Sequence, residues 1–434
     1  MASAGASSTE QSSPVANSFT PLFSTLVLVG GFAALVGAAW AGYSALVVLL
    51  GLWLSAGVVT KLWSRLCLKG LTCERQLSER RVFPGEEVVL TLRVMNRKPL
   101  PLPWVEVRDE MPAALSPARP PGDPRASAPL PERPGFVALS QSTPLPWYAA
   151  ASFTSRLQSS ARGYYQLGPL SVTSGDIFGL HPRTRVQPDL DYLIVYPRTY
   201  ALSELGLTSL SPLGNNKSEL RMFADPSRLL GVREYVLGDS PRRIHWKASA
   251  RTRALQVKVF ESTTDLKVSV FLAVDTFAGL SSDDFELGIS TAASVARHLL
   301  ESDIQTGLFV NTKLADSGAA ARVPAGSGTA QLALILEALA KTTAQISQPF
   351  ADFFERERSE LGFGGTLVFV VGEVSREIGL LTAELARTGR QLLGLYLANG
   401  GDAENGQGTD HERLGGWWRG VHRPADFGSA DDLI

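Results

Sequence analysis

Leu22–Thr60 reads LFSTLVLVGGFAALVGAAWAGYSALVVLLGLWLSAGVVT, and this stretch separates a membrane part of the chain from everything after it. No Asp, Glu, Lys, Arg or His occurs between Gln11 and Thr60. A bilayer core of ~30 Å calls for about 20 apolar residues per helix. Two runs, Leu22 to Ala41 and Tyr43 to Thr60, approach that length, so the sequence predicts a transmembrane hairpin over residues 21–62. A secretory signal peptide would have a charged start and a shorter apolar core. The polar break near Trp40, Gly42 and Tyr43 leaves almost no loop, which puts both chain ends on one side. Lys61, Arg65 and Lys69 follow the second run, and positive residues beside a span stay in the cytoplasm. The expected location is therefore the cytoplasmic (inner) membrane, multi-pass, with the soluble domains facing the cytoplasm. Ala33, Gly37 and Ala41 recur every fourth residue and form a small-residue stripe suited to close helix packing.

The 434 residues, less the hairpin, suffice for two ordinary domains. A net charge of −1 gives no excess of cations to displace counterions from phosphates, which argues against nucleic acid as a partner. The only two cysteines, Cys67 and Cys73, form no disulfide framework and suit a reducing compartment.

Residues 1–20 are small and polar and read as a disordered tail. Between residues 73 and 200 short alternating runs are broken by Gly and Pro, as in Val88-Leu90-Leu92-Val94, Trp104 to Val107, Phe153 to Leu157 and Tyr164 to Val172. That pattern predicts a small all-β, sandwich-like domain. Inside it, residues 111–147 are dense in Pro and Ala and read as a surface insertion. From residue 263 to 400 the rhythm changes to apolar strands alternating with helices: Lys267 to Val274, Phe285 to Leu300, Thr306 to Val310, Gln331 to Leu339, Thr366 to Val371, Ser375 to Arg387 and Gln391 to Leu397. Such alternation means an α/β domain with a mostly parallel sheet covered on both faces. Residues 401–434 read as a tail in which Trp417-Trp418 either docks on a partner or buries against the sheet.

Residues 201–262 hold the densest text. Gly231 to Arg251 reads GVREYVLGDSPRRIHWKASAR. Val232 to Leu237 alternates as a strand, Gly238 permits a turn, Asp239 or Ser240 can cap a short helix accepting Pro241 in its first turn, and a strand resumes at Leu255 to Phe260. Cations outnumber acids here. On a structural reading, Glu234 and Asp239 fork with nearby arginines above a packed Trp246. On a functional reading, the guanidinium groups form an anion-binding or partner-docking face. The candidate residues are Arg233, Glu234, Tyr235, Gly238, Asp239, Arg242, Arg243, His245, Trp246, Ser249 and Arg251.

The run from Arg233 to Arg251 resembles the core signature of the bacterial and archaeal membrane-protein family called domain of unknown function 58 (DUF58). Arg162-Gly-Tyr-Tyr-Gln-Leu-Gly-Pro-Leu, Ser174-Gly-Asp-Ile-Phe-Gly-Leu and Tyr196-Pro197 resemble its other landmarks. The resemblance implies a C-terminal domain like von Willebrand factor A, and an association with MoxR-type AAA+ ATPases. It implies no settled biochemical activity. A von Willebrand A domain holds Mg²⁺ through an Asp-x-Ser-x-Ser loop after its first strand, with a distant Thr and Asp. Here Asp275 is kept, Phe277 and Gly279 replace the serines, and Thr329 and Glu373 occupy the later regions. With two hydroxyl ligands missing, no resident cofactor is expected, and Asp275 marks a degenerate metal position.

No phosphate loop, His-Glu-x-x-His or Gly-x-Ser-x-Gly motif is present. Of five histidines, His245 alone lies in the dense motif. The expectation is a membrane-anchored, non-catalytic scaffold or adaptor that binds protein partners such as a MoxR-type ATPase. The alternatives are a metal-dependent adhesion-type module and an enzyme built around Glu234, Asp239 and His245.

Overall fold

The computed structural model describes residues 25–115, 128–130, 133–159, 161–207, 229–236, 244–252, 254–260, 267–359, 361, 365–388, 390–397 and 417–424. The expected tails over residues 1–20 and 401–416 lie outside these. The chain divides into two compact units, Met1–Tyr196 and Pro197–Ile434.

The first unit begins with helices α1 (Thr25–Trp40) and α2 (Ser44–Cys67). Among the described residues, α2 is the one helix long and apolar enough to cross a membrane, and α1 is apolar but shorter. The helices pack side by side: Gly31 lies against Trp53 and Gly51 against Leu35, a pairing that makes them antiparallel. The Ala33-Gly37-Ala41 stripe does not form this contact, since Gly37 faces open space. Leu46, Val48, Leu49, Leu52, Val58 and Val59 of α2 are all exposed, which leaves an apolar helix with no protein cover over most of its length.

Three sheets follow. They are built from β1 (Leu71–Leu77), β2 (Arg81–Val82), β3 (Glu87–Asn96), β4 (Leu102–Pro112), β5 (Ala128–Pro129), β6 (Phe136–Leu145), β7 (Ala150–Gln158), β8 (Gly163–Leu167), β9 (Leu170–Ser174), β10 (Arg183–Gln187) and β11 (Asp191–Val195). Their orders are β1-β3-β7, β10-β9-β4-β6-β5 and β2-β11-β8. Strand alternation places Val88, Leu90, Leu92 and Val94 of β3 in one core with Val105 and Val107 of β4 and Val172 of β9.

Two sequence expectations change here. Residues 111–147 are not simply an insertion, because β6 pairs with β4 along most of its length and buries Ala138, Leu139 and Leu145. Its alternation is irregular, which hid it. Tyr164 to Val172 is two strands in different sheets, separated at Gly168-Pro169.

The core-facing register of β4 includes Asp109, which is fully buried. A buried carboxylate needs a partner. Arg75 supplies it with two bonds to Asp109, one from Nε at 2.9 Å, and also donates to Leu167 O and Asp191, each at 3.2 Å. One guanidinium thereby ties strands from all three sheets.

The last turn of α2 enters the same core, where Cys67 and Leu68 are buried. Ser64 Oγ donates to His181 O at 2.6 Å, and Cys67 Sγ to Ser174 O at 3.6 Å. Lys98 Nζ donates to Leu66 O at 2.8 Å and to Cys67 O, and Arg185 donates to Leu68 O at 3.2 Å and to Leu71 O. Cations at the carboxyl end of a helix satisfy orphan carbonyls and complement its dipole. The helix thus joins the β region rigidly, without a linker.

In the second unit β12 (Leu229–Glu234) pairs antiparallel with β13 (Gln256–Phe260), with α3 (Trp246–Thr252) between them in sequence. The rest is β14 (Lys267–Ala273), α4 (Ser282–Glu301), β15 (Gln305–Val310), β16 (Thr312–Leu314), β17 (Ala321–Gly326), α5 (Thr329–Ala340), β18 (Thr342–Ile346), α6 (Phe350–Arg358), β19 (Thr366–Val371), α7 (Arg376–Arg387), β20 (Leu392–Leu397) and β21 (Trp418–Val421). The main sheet has the order β17-β15-β14-β19-β20-β21, parallel except for the antiparallel edge strand β17. Every residue of β19 is buried, as a strand covered on both faces requires. On one face Phe271 and Phe369 meet Phe350 and Phe354 of α6, with Phe271 and Phe354 rings 5.1 Å apart. The amphipathic α4 packs on the sheet as well, and a reciprocal Ser281–Asp284 capping box starts it. Trp418 in β21 is buried, which decides the tail tryptophan for the sheet.

Candidate functional site

The chain leaves β14, winds out to β15, and then returns past β14 to β19, β20 and β21. The winding direction reverses at β14 and β19, and ligands of open α/β sheets lie beyond the strand carboxyl ends at such a reversal. A cleft of about 290 Å³ lies there, lined by Asp275, Thr276, Phe350, Ser375 and Glu377 among others. It forms a candidate site in the second unit.

Its polar groups are largely committed to one another. Asp275 Oδ1 accepts from Asn311 Nδ2 at 3.0 Å, and Oδ2 accepts from the backbone N–H of Phe350 at 2.8 Å. Phe350 opens α6, so the carboxylate satisfies one of the orphan donors at that helix start. Asn311 Oδ1 accepts from Val274 N at 2.7 Å, closing a link between the ends of β14 and β15. Thr276 Oγ1 donates to Ala273 O at 2.6 Å and accepts from Gly372 N at 2.8 Å, joining β14 to the end of β19. Asp275 thus caps a helix far downstream in sequence. Phe277 is buried against Phe285, with rings 5.7 Å apart. Gly279 has positive φ and open space around it. Neither offers an oxygen where a metal loop would have a hydroxyl, so the donor set around Asp275 does not fit a Mg²⁺ site. Among the described residues, no three His, Cys, Asp or Glu groups lie close enough together to hold a metal ion.

The dense motif folds as a strand, a short helix and a strand. Ile244 bridges to Val257, and His245 N donates to Gln256 O at 2.7 Å. His245 Nδ1 accepts from Ala248 N at 3.1 Å, so the imidazole caps the start of α3. The sequence offers Asp239 or Ser240 as a cap; both, with Gly238, Arg242 and Arg243, lie outside the described residues. Ser249 Oγ donates to His245 O at 3.1 Å and accepts from Gln256 N at 2.8 Å, which locks helix to strand. Tyr235 N donates to Leu255 O at 2.9 Å. Arg233 and Glu234 lie exposed on β12, with Arg233 Nη1 donating to Glu234 O at 3.1 Å, and Arg251 is exposed on α3. Trp246 is 69% exposed, which corrects the expectation that it packs beneath the turn. Val232, Val236 and Leu255 are exposed with it. The structure therefore brings together His245, Ser249 and the strand backbones, and leaves Arg233, Glu234, Trp246 and Arg251 on the surface. Asn311, buried behind the cleft and bonded to Asp275, was missed because a lone Asn after a strand carries no signal in sequence.

Comparison with known proteins adds the following. Residues 231–357 match the family described as "Protein of unknown function DUF58". The uncharacterized protein YeaD of Bacillus subtilis is 26% identical over 250 residues, covering 56% of this chain and 56% of its own. The chain thus matches about half the length of that relative. Among solved structures, the CARDB domain of a Pyrococcus furiosus protein is 12% identical over 29% of this chain and 91% of its own, with a TM-score of 0.19. A cohesin module from Clostridium perfringens is 12% identical over 29% of this chain and 96% of its own, with a TM-score of 0.22. Scores this low carry no argument about fold or activity. The similarity to DUF58 lies in residues 231–357, the segment that holds the Arg233–Arg251 motif.

Proposed function

We propose that this chain is a membrane-anchored, non-catalytic scaffold whose second unit binds a protein partner. The observation that carries the reading is the junction of α2 with the β region. An exposed apolar helix ends inside a hydrophobic core and is held there by Ser64, Cys67, Lys98 and Arg185, so a membrane anchor would transmit position directly to the soluble part. On this reading α1 and α2 cross the cytoplasmic membrane as a hairpin, and both chain ends face the cytoplasm, with Arg65 and Lys69 on that side. The strand order of the second unit supports a von Willebrand A-like domain. With Asp275 committed to Asn311 and Phe350, that domain works without a resident metal. Exposed Arg233, Trp246 and Arg251 supply the cationic and aromatic groups that dominate protein interfaces, and a MoxR-type AAA+ ATPase is the partner the family resemblance suggests.

Affinity purification of the full chain from native membranes tests the reading. An AAA+ ATPase should co-purify, and a Trp246→Ala, Arg251→Ala variant that folds normally should lose it. Recovery of the chain without any ATPase would reject that partner.

A further inference from the structure

Two loops of the first unit expose large apolar side chains beside the end of α2. In the β9–β10 loop Ile177 is 61% and Phe178 69% exposed; in the β6–β7 loop Trp147 is 63% and Tyr148 69% exposed. These loops are built, not loose. Asp176 is fully buried, and its carboxylate accepts from Phe178 N at 3.2 Å and His181 N at 2.7 Å, while its carbonyl accepts from Gly179 N at 3.0 Å and Trp104 Nε1 at 3.3 Å. A buried carboxylate thus shapes a tight turn whose tip is two large hydrophobes. In the other loop Asn96 Nδ2 donates to Pro146 O at 2.9 Å, and Tyr148 N donates to Lys98 O at 3.3 Å.

Both loops are fastened to the same place. His181, at the end of the first turn, receives Ser64 of α2, and Lys98, which holds Tyr148, grips the carbonyls of Leu66 and Cys67. Arg65, Lys69 and Arg97 are exposed around them, and no Asp or Glu other than buried Asp176 lies in residues 61–70, 97–100, 146–149 or 176–183. Apolar tips with Trp and Tyr, ringed by cations at the end of an apolar helix, are the composition of a membrane–water interface.

We propose that the β region lies against the bilayer surface, with Trp147, Tyr148, Ile177 and Phe178 inserted among the lipid headgroups. The occupant of this face is anionic lipid, and the reading rests on α2 spanning the membrane. Contact through two separate loops fixes the tilt of the first unit on the membrane, which one helix alone would leave free.

Site-directed spin labelling of the full chain in vesicles of phosphatidylcholine and phosphatidylglycerol tests this. The native Cys67 and Cys73 are buried, so labels enter at Trp147→Cys, Phe178→Cys, Leu52→Cys in α2 and Arg156→Cys. Arg156 lies six residues along β7 from Ala150, roughly 20 Å from the β6–β7 loop. At Leu52 collisions with oxygen should exceed those with a water-soluble nickel chelate, at Arg156 the order should reverse, and at Trp147 and Phe178 the ratio should fall between. Leu52 in lipid with either Trp147 or Phe178 as aqueous as Arg156 would overturn the proposal and leave the spanning helix intact. An aqueous Leu52 would overturn both.

Discussion

Asp275 shows how one carboxylate can look like a metal ligand in sequence and act as a joint in the fold. Removing it leaves the Phe350 N–H without its acceptor and the Asn311 amide with Gln348 O alone, and an unsatisfied buried donor costs about 1–3 kcal/mol. Asp275→Ala should therefore lower the unfolding free energy read from denaturant titration by that amount, whereas Mg²⁺ or Mn²⁺ titrated into the native protein should leave its melting temperature unchanged, because only a ligand of the folded state raises it. A saturable rise that Asp275→Ala abolishes would restore the metal reading. Lys98 gives a second residue-scale test. Burial lowers its ammonium pKa from 10.5 to about 8, with Cys67 opposing the shift and Arg185 reinforcing it. A base with a lowered native pKa holds fewer protons folded than unfolded between those two values, so stability should rise with pH from about 8 toward 10.5. Denaturation midpoints of detergent-solubilised protein should climb through that window, and Lys98→Met should flatten the climb. The two carbonyls that Lys98 grips favour its charged form and limit the size of the effect.

At the scale of elements, the first unit depends on Arg75 joining its three sheets through Asp109, Asp191 and Leu167. Burial pushes the Asp109 carboxyl up, and Arg75 holds it down only in part. Breaking such a pair strands a charge, at a cost of about 3–5 kcal/mol, while replacing both partners by apolar residues is far milder. Asp109→Ala should destabilise the detergent-solubilised chain accordingly in thermal melts, and Arg75→Met with Asp109→Leu should recover much of the loss; a double variant as unstable as the single one would refute the pairing account. The same elements show what sequence carries. β3 and β19 were legible because strict alternation and an unbroken β-branched run each have one physical meaning. β6 was not, since Pro and Ala hid a strand whose place is set by pairing with β4. The short β16, β18 and β21 and the helix α6 depend on partners distant in sequence, and local pattern does not announce them. Of the motif, the strand-helix-strand order was readable, but not that His245 caps α3 or that Trp246 faces out.

For the whole molecule, the proposed membrane anchor makes the side of the membrane on which the sheets lie the decisive quantity. α2 carries Lys61 and Arg65 in its last turns and Lys69 just beyond, and its final turn is already inside the β region. The side on which those cations stay is therefore the side of the first unit's sheets. On the proposed reading that α2 spans a membrane, the positive-inside rule predicts that this side is cytoplasmic. A cysteine placed at Glu87, the exposed first residue of β3, should resist a membrane-impermeant maleimide added to intact cells and react once the membrane is opened. Replacing Lys61, Arg65 and Lys69 together by Gln should reduce that protection, because the charge bias would be gone while the apolar helices remain. Efficient labelling of the unaltered helix background in intact cells would reverse the orientation and, with it, remove any cytoplasmic ATPase from the set of possible partners.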